Sequence, residues 1–323
     1  VSTVAHFAEE LHRRFSQVND KPLHPIPCAA RNKTLQGIKA VVFDLYGTLI
    51  NYWLPGFEKQ EVKQARLREA FAKTARRFAM VEALERINSA NPYDETLQDF
   101  YHGLIAVHHD RKREQGISFP EIQIEEIWRA ILLMLQRHGY DYTGLQLGSE
   151  RETAQCMAFF YNFHALGRGL YPGVVSCLQQ LKKRGIQLGI ISNAQFYTPI
   201  DLTLFLYDQS EAQIQDHLDV FNTRLSFYSY EYGVAKPNPL LVQKLYDALY
   251  DYSILPEQTL FVGNDLMLDI RFASEHRLAT ALFTGDRDVT FFHDQRDTVV
   301  PDICFDRWDT LPDMLVQGEQ DTT

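Results

Sequence analysis

Over the second half of the chain, short apolar runs rich in β-branched residues alternate with longer amphipathic stretches. "YPGVVSCLQQLKKRG" reads as a helix ending at Gly185, and "IQLGIISNA" as a strand ending at Ser192. "TRLSFYSYEYG" reads as another strand, with Tyr228, Tyr230 and Tyr232 on one face. "PNPLLVQKLYDAL" follows as a helix, "TLFVGND" as a strand that ends in polar residues, and "IRFASEHRL" as a helix. "ATALFTGD" and "DICFD" complete the set as strands. Strand–helix alternation of this kind predicts a parallel sheet with helices on both faces. Earlier in the chain, "IKAVVFDL" has the same character and reads as one more buried strand.

Between these two regions the period changes. Leu67, Phe71, Phe78, Val81, Leu84 and Ile87 recur at helical spacing. Ile124, Ile127, Trp128, Ile131, Leu132 and Leu135 do the same, and Ser149 with Glu152 has the spacing of a capping box. Residues 52–167 therefore predict an all-helical insert with no strand. The expected fold is α/β: a Rossmann-like parallel sheet core built from 37–51 and 168–323, interrupted after its first strand by 52–167. Residues 1–36 read as an N-terminal extension, a short amphipathic helix followed by a proline-rich stretch.

Composition narrows the function. The 323 residues are 45% hydrophobic and 12% aromatic, enough for a large core. A net charge of −10 disfavours non-specific nucleic-acid binding, which needs a basic face. No segment is long and apolar enough to span a bilayer, so no membrane partner is expected. Cys28, Cys156, Cys177 and Cys304 have no metal-ligand spacing and read as free thiols, which with the rest predicts a cytoplasmic protein.

Asp44, Ser192 and the "GND" at 263–265 fall where predicted strands end, the edge at which open α/β sheets bind ligands. Asp44 ends the first strand, where a carboxylate serves as nucleophile, base or metal ligand. Ser192 and Asn193 end another and offer hydrogen-bond donors. Lys236, pinned by the prolines of "AKPNP", would neutralise nearby carboxylates or a bound anion. Asn264, Asp265 and Asp269 follow a third strand. Each has a plainer reading alone: a helix cap, a solvated lysine, an ordinary turn. Together, carboxylates that would otherwise repel one another suit a Mg²⁺ ion.

These four stretches, in this order, resemble the motifs of the haloacid dehalogenase superfamily. "VVFDLYGTL" matches its hhhDxxGT motif, "IISNA" its strand ending in Ser or Thr, "AKPNP" its Lys, and "VGNDLMLD" its acidic loop. The resemblance covers about 38–51 and 168–310 and makes the helical insert a cap. It implies a hydrolase acting on a small, phosphorylated substrate through an aspartyl-phosphate intermediate. Asp44 would be the nucleophile, with Thr48, Ser192 and Asn193 around the transferring group and Lys236 stabilising its charge. Mg²⁺ would lie among Asp44, the Tyr46 carbonyl, Asp265 and Asp269. Two positions depart from the family's phosphatases. Tyr46 stands where they carry a second Asp, as in many haloacid dehalogenases, and Asn264 stands where Asp is commonest. Those dehalogenases also have a Tyr six residues after the Lys, and here that residue is Val242. A dehalogenase-like hydrolase and a catalytically weakened binding or regulatory protein are the alternatives.

Overall fold

Six short apolar runs form one parallel sheet: Ala40–Phe43 (β1), Gln187–Ser192 (β2), Ser226–Tyr228 (β3), Thr259–Gly263 (β4), Ala279–Phe283 (β5) and Ile303–Phe305 (β6). The computed structural model describes residues 2–15, 22–27, 33–53, 60–294 and 298–316. The strand order is β3-β2-β1-β4-β5-β6, every pairing parallel, which is the doubly wound arrangement of Rossmann-like sheets. β1 is central, and all four of its residues are fully buried, as a strand covered on both faces requires. The order reverses at β1, so the crevice beyond its carboxyl end is the switch point of the sheet. The helix Leu240–Asp251 lays Leu241, Val242, Leu245 and Leu249 against Ala40, Val42, Ile191 and Phe261. Each such buried aliphatic side chain contributes roughly 1.5–3 kcal/mol relative to exposure.

The chain forms two units. The sheet belongs to one, comprising Asp20–Asn51, Gly169–Ala194 and Leu202–Thr323. The other, Val1–Asn19, Tyr52–Arg168 and Gln195–Asp201, is mainly helical, but the short strands Ile50–Trp53 and Gly167–Leu170 reach into 52–167, which was expected to hold no strand. Within it, Ile124–Gln136 buries the six apolar residues that the periodicity marked, and Ser149 with Glu152 closes the capping box of Glu150–Ala165. The N-terminal helix, Thr3–Arg14, buries Val4, Phe7, Ala8 and Leu11, and Phe7 meets Phe78 and Phe160 ring to ring. Thr3 also donates to the capping-box carboxylate of Glu152 at 2.6 Å. The Arg168 guanidinium, itself buried, holds buried Asp201 through two bonds of 2.5 and 3.0 Å. Gln195 donates to Glu121 and the Ile122 carbonyl and accepts from the Ile124 N–H. No helix among the described residues is long and apolar enough to cross a membrane.

Three further expectations change. The strand read over 223–233 stops at Tyr228, and Ser229–Tyr232 winds as a helical turn closed by Gly233 at φ +68°. The buried Ser229 hydroxyl exchanges hydrogen bonds with the Ala194 main chain, so the chain leaves the sheet and the tyrosines share no strand face. The helix expected at 270–278 begins earlier, as a π-helical turn over Leu266–Arg271 that continues into Phe272–Glu275. Of the four cysteines read as free thiols, Cys156 and Cys177 are free and buried, but Cys304 is disulfide-bonded. Cys28 lies outside the described residues. Sequence spacing does not show which distant sulfurs a fold brings together, and a disulfide removes the ground on which a reducing compartment was expected.

Candidate active site

The end of β1 fixes the centre of the site. The Asp44 N–H continues the ladder by donating to the Val262 carbonyl at 2.9 Å, so its side chain stands at the carboxyl edge of the sheet. Gly47 then takes φ +83°, and a Cβ there would fall 2.3 Å from the Asn264 amide nitrogen. Glycine is needed for both reasons: the left-handed turn and the close approach.

The expected site residues come together around the Asp44 carboxylate. Ser192, at the end of β2, donates to Oδ1 at 3.0 Å, and Lys236 Nζ donates to the same oxygen at 2.7 Å. The one Thr48 hydroxyl proton is shared between the Asn264 carbonyl oxygen at 2.9 Å and, more distantly, Asp44 Oδ2 at 3.3 Å. Lys236 also donates to Asp269 Oδ1 at 2.5 Å. Asn193 acts on the lysine's main chain: its Oδ1 accepts from the Lys236 N–H at 2.7 Å and its amide donates to the Lys236 carbonyl. The second oxygen of Asp269 accepts from the N–H groups of Asn264 and Asp265, both at 3.0 Å. Gly263 leaves room for this, since a Cβ there would fall 2.3 Å from the Asp269 carboxyl.

Charge explains why the cluster is poised. Asp44, Lys236 and Asp269 are all buried. Burial works against a charged Lys236, but Asp269 and Asp44 outweigh it and its pKa is raised. Burial pushes the Asp269 carboxyl up to about 7 against the pull of Lys236, and the Asp44 charge adds to the rise. The two directions agree: the Lys236 ammonium stays charged between two carboxylates, and burial first, then the Asp44 charge, raise Asp269.

Asp265 is the N-cap of the π-helical turn, its Oδ1 accepting from the N–H groups of Met267 and Leu268 at 2.8 Å. Its Oδ2 lies 2.8 Å from His293 Nε2. Asp44, Tyr46, Asn193, Lys236, Asn264, Asp265, Leu268, Asp269 and Phe291 line a pocket of about 130 Å³. Among the described residues, no three His, Cys, Asp or Glu side chains form a metal-holding group by themselves. The oxygen donors that line the pocket are the carboxylates of Asp44, Asp265 and Asp269 and the side-chain amides of Asn193 and Asn264.

His293, Phe291 and Val289 were not anticipated. The Phe291 N–H donates to the Asn264 carbonyl at 3.0 Å, its carbonyl accepts from Leu266, and the Asn264 amide donates to the Val289 carbonyl. They sit in an irregular loop with no periodicity, and only an acid in need of a partner would have pointed to the histidine. Val242, at the position of the dehalogenases' Tyr, is buried in the sheet core.

The Asp44, Ser192, Lys236 and Asp269 side chains meet at the switch point of a Rossmann-like sheet, and the family to which that sheet belongs is one of hydrolases. The chain belongs to the haloacid dehalogenase-like hydrolases, whose family model matches residues 38–277. It is 24% identical over 217 residues to the glyceraldehyde 3-phosphate phosphatase of Methanopyrus kandleri, a match covering 64% of this chain and 86% of that one. Its fold resembles a haloacid dehalogenase-type phosphatase from Thermococcus onnurineus, with TM-score 0.47, 16% identity and coverage of 86% and 97% of the two chains. It resembles the 2-haloacid dehalogenase of Pseudomonas syringae pv. Tomato DC3000 to the same TM-score, 0.47, at 19% identity and the same coverage, 86% and 97%.

Proposed function

We propose that the protein is a Mg²⁺-dependent phosphatase of small phosphorylated molecules, with Asp44 as the nucleophile. The observation that carries this is the surplus of buried carboxylate over ammonium in one pocket: Asp44, Asp265 and Asp269 against Lys236. A site that collects negative charge and oxygen donors fits a divalent cation. Both oxygens of Asp269 are engaged, by Lys236 and by two main-chain N–H groups, so its part is to support. Asp44, Asp265 and the Tyr46 carbonyl would hold the ion, which when bound supplies neutralising charge for the phosphoryl oxygens. The phosphatase from Methanopyrus kandleri among its relatives supports the same reading.

The steps follow from the side chains. Lys236 and Ser192 fix Oδ1 of Asp44, which leaves Oδ2, with its single long bond to Thr48, to attack phosphorus. The P–O bond to the ester oxygen breaks as the aspartyl phosphate forms, and the departing oxygen takes its proton from solvent water. Water then attacks that phosphorus, releasing phosphate and the Asp44 carboxylate. Thr48 and Ser192 hydroxyls and the Lys236 ammonium stabilise the charge that spreads over the phosphoryl oxygens.

A second reading rests on Tyr46, whose position in the family's dehalogenases is often tyrosine; there Asp44 would displace halide from a 2-haloacid, which needs no proton donor. A panel of phosphate esters and 2-haloacids separates the two. Phosphate release should stop with chelator, return with Mg²⁺, and fall about 10³-fold or more in Asp44→Asn. Halide release that ignores chelator would replace the phosphatase reading by the dehalogenase one.

A further inference from the structure

The family match ends at residue 277, yet the segment that follows β5 closes onto the acidic loop. Asp286, fully buried, anchors that segment: it accepts from the Asp288 N–H, the Tyr171 hydroxyl lies 3.3 Å from its Oδ2, and Thr290 donates to its main-chain carbonyl. Phe291 then forms a parallel bridge with Asp265. Two residues on, His293 reaches Asp265 Oδ2 at 2.8 Å. An ionised carboxylate only accepts, so this ring nitrogen carries the proton.

The consequence lies in how Asp265 is held. Main-chain N–H groups of the helical turn fix one oxygen. A carboxylate pinned at one oxygen still swings the other. His293 engages that second oxygen at 2.8 Å, and a carboxylate oxygen can accept a hydrogen bond and still ligate a cation. We infer that His293 is a positioning residue for Asp265, holding its outer oxygen ready for a divalent cation. This rests on the reading of Asp265 as a Mg²⁺ ligand. It assigns a role to a residue outside the four motifs, on a loop that the family match does not reach. Hydrogen-bonded partners of a ligating carboxylate set its orientation, and losing one typically costs 10- to 100-fold in metal affinity.

The test is calorimetric titration of the full chain with Mg²⁺ alone, for wild type, His293→Ala and His293→Gln, with thermal melts recorded without metal. The side chain of His293 is 46% exposed, so neither change opens a core. His293→Ala should bind Mg²⁺ about 10-fold more weakly. His293→Gln, whose amide supplies a donor at similar reach, should recover most of that loss, and all three melts should coincide. An Ala variant that binds as tightly as wild type overturns the inference. So does a Gln variant as weak as Ala, or a melt that falls with the affinity. Wild type that binds no Mg²⁺ overturns the metal reading itself, and this inference with it.

Discussion

At the scale of the residue, the question left by the site is Tyr46. It lines the pocket beside Asp44, where a phosphatase of this family keeps the carboxylic acid that protonates the leaving oxygen. A phenol, with an ordinary pKa near 10, is poorly matched to proton transfer at neutral pH. Expulsion of an alkoxide should therefore suffer more than expulsion of an aryl oxide or an acyl group. Tyr46→Asp is expected to raise kcat/KM for alkyl phosphates by ~10²-fold relative to aryl phosphates, the usual worth of a positioned general acid. A series of esters graded by leaving-group pKa measures this. Wild type that already cleaves alkyl and aryl esters equally fast would contradict the assignment. The positions of Asp44, Ser192, Asp265 and Asp269 were legible because each follows an apolar run that reads as a strand, and that of Lys236 because two prolines pin the chain just after it. His293 was not, because nothing in "TFFHDQ" has a period; its place depends on how a loop returns to the sheet. Asn264, seen in sequence only as a substituted acid, proves to be a bridge between Thr48 and the Val289 carbonyl.

At the scale of the element, the helix Glu150–Ala165 carries a pH-sensitive group near its end. Burial pushes His164 down to about 4; Lys73 and Arg168 act in the same direction and Glu69 opposes them. Its ring packs on Phe160 at 4.4 Å and on Phe15 at 5.6 Å. The unfolded chain takes up this proton near pH 6.5, the folded chain only near pH 4. Between those values the unfolded state binds more protons, so the stabilisation is complete above pH 6.5 and is lost as pH falls toward 4. The loss should be on the order of 2 kcal/mol, allowing for solvent screening of a partly buried ring. His164→Phe should flatten this part of the profile, read as the difference between wild-type and variant melting temperatures from pH 7 downward. Parallel profiles would contradict the burial of His164 as its cause. Helices were the most legible elements, because long apolar stripes such as Ile124 to Leu135 repeat at one period. The turn at Ser229–Tyr232 was not, since alternating tyrosines fit a strand and only the bonds of the buried Ser229 decide otherwise.

At the scale of the molecule, the alternation of strands and helices announced an α/β fold, but the strand order is set by burial and handedness that no single segment reveals. Nor did the sequence show that Thr3–Arg14 packs among the helices rather than standing apart, because a short amphipathic stripe names no partner. The order of the sheet gives the site its meaning: β1 stands between β2 and β4, so residues from four distant segments meet at one carboxylate. If Asp44 is the nucleophile, this carboxylate becomes covalently phosphorylated during turnover. The most direct test is to mix the protein with Mg²⁺ and an aryl phosphate, quench in acid within the first turnover, and locate the phosphoryl group by peptide mass spectrometry. One phosphoryl group on the peptide carrying Asp44, absent from Asp44→Asn, is the result expected. Turnover of the ester with Asp44 unmodified at every quench time, or with the group on another residue, would contradict the account.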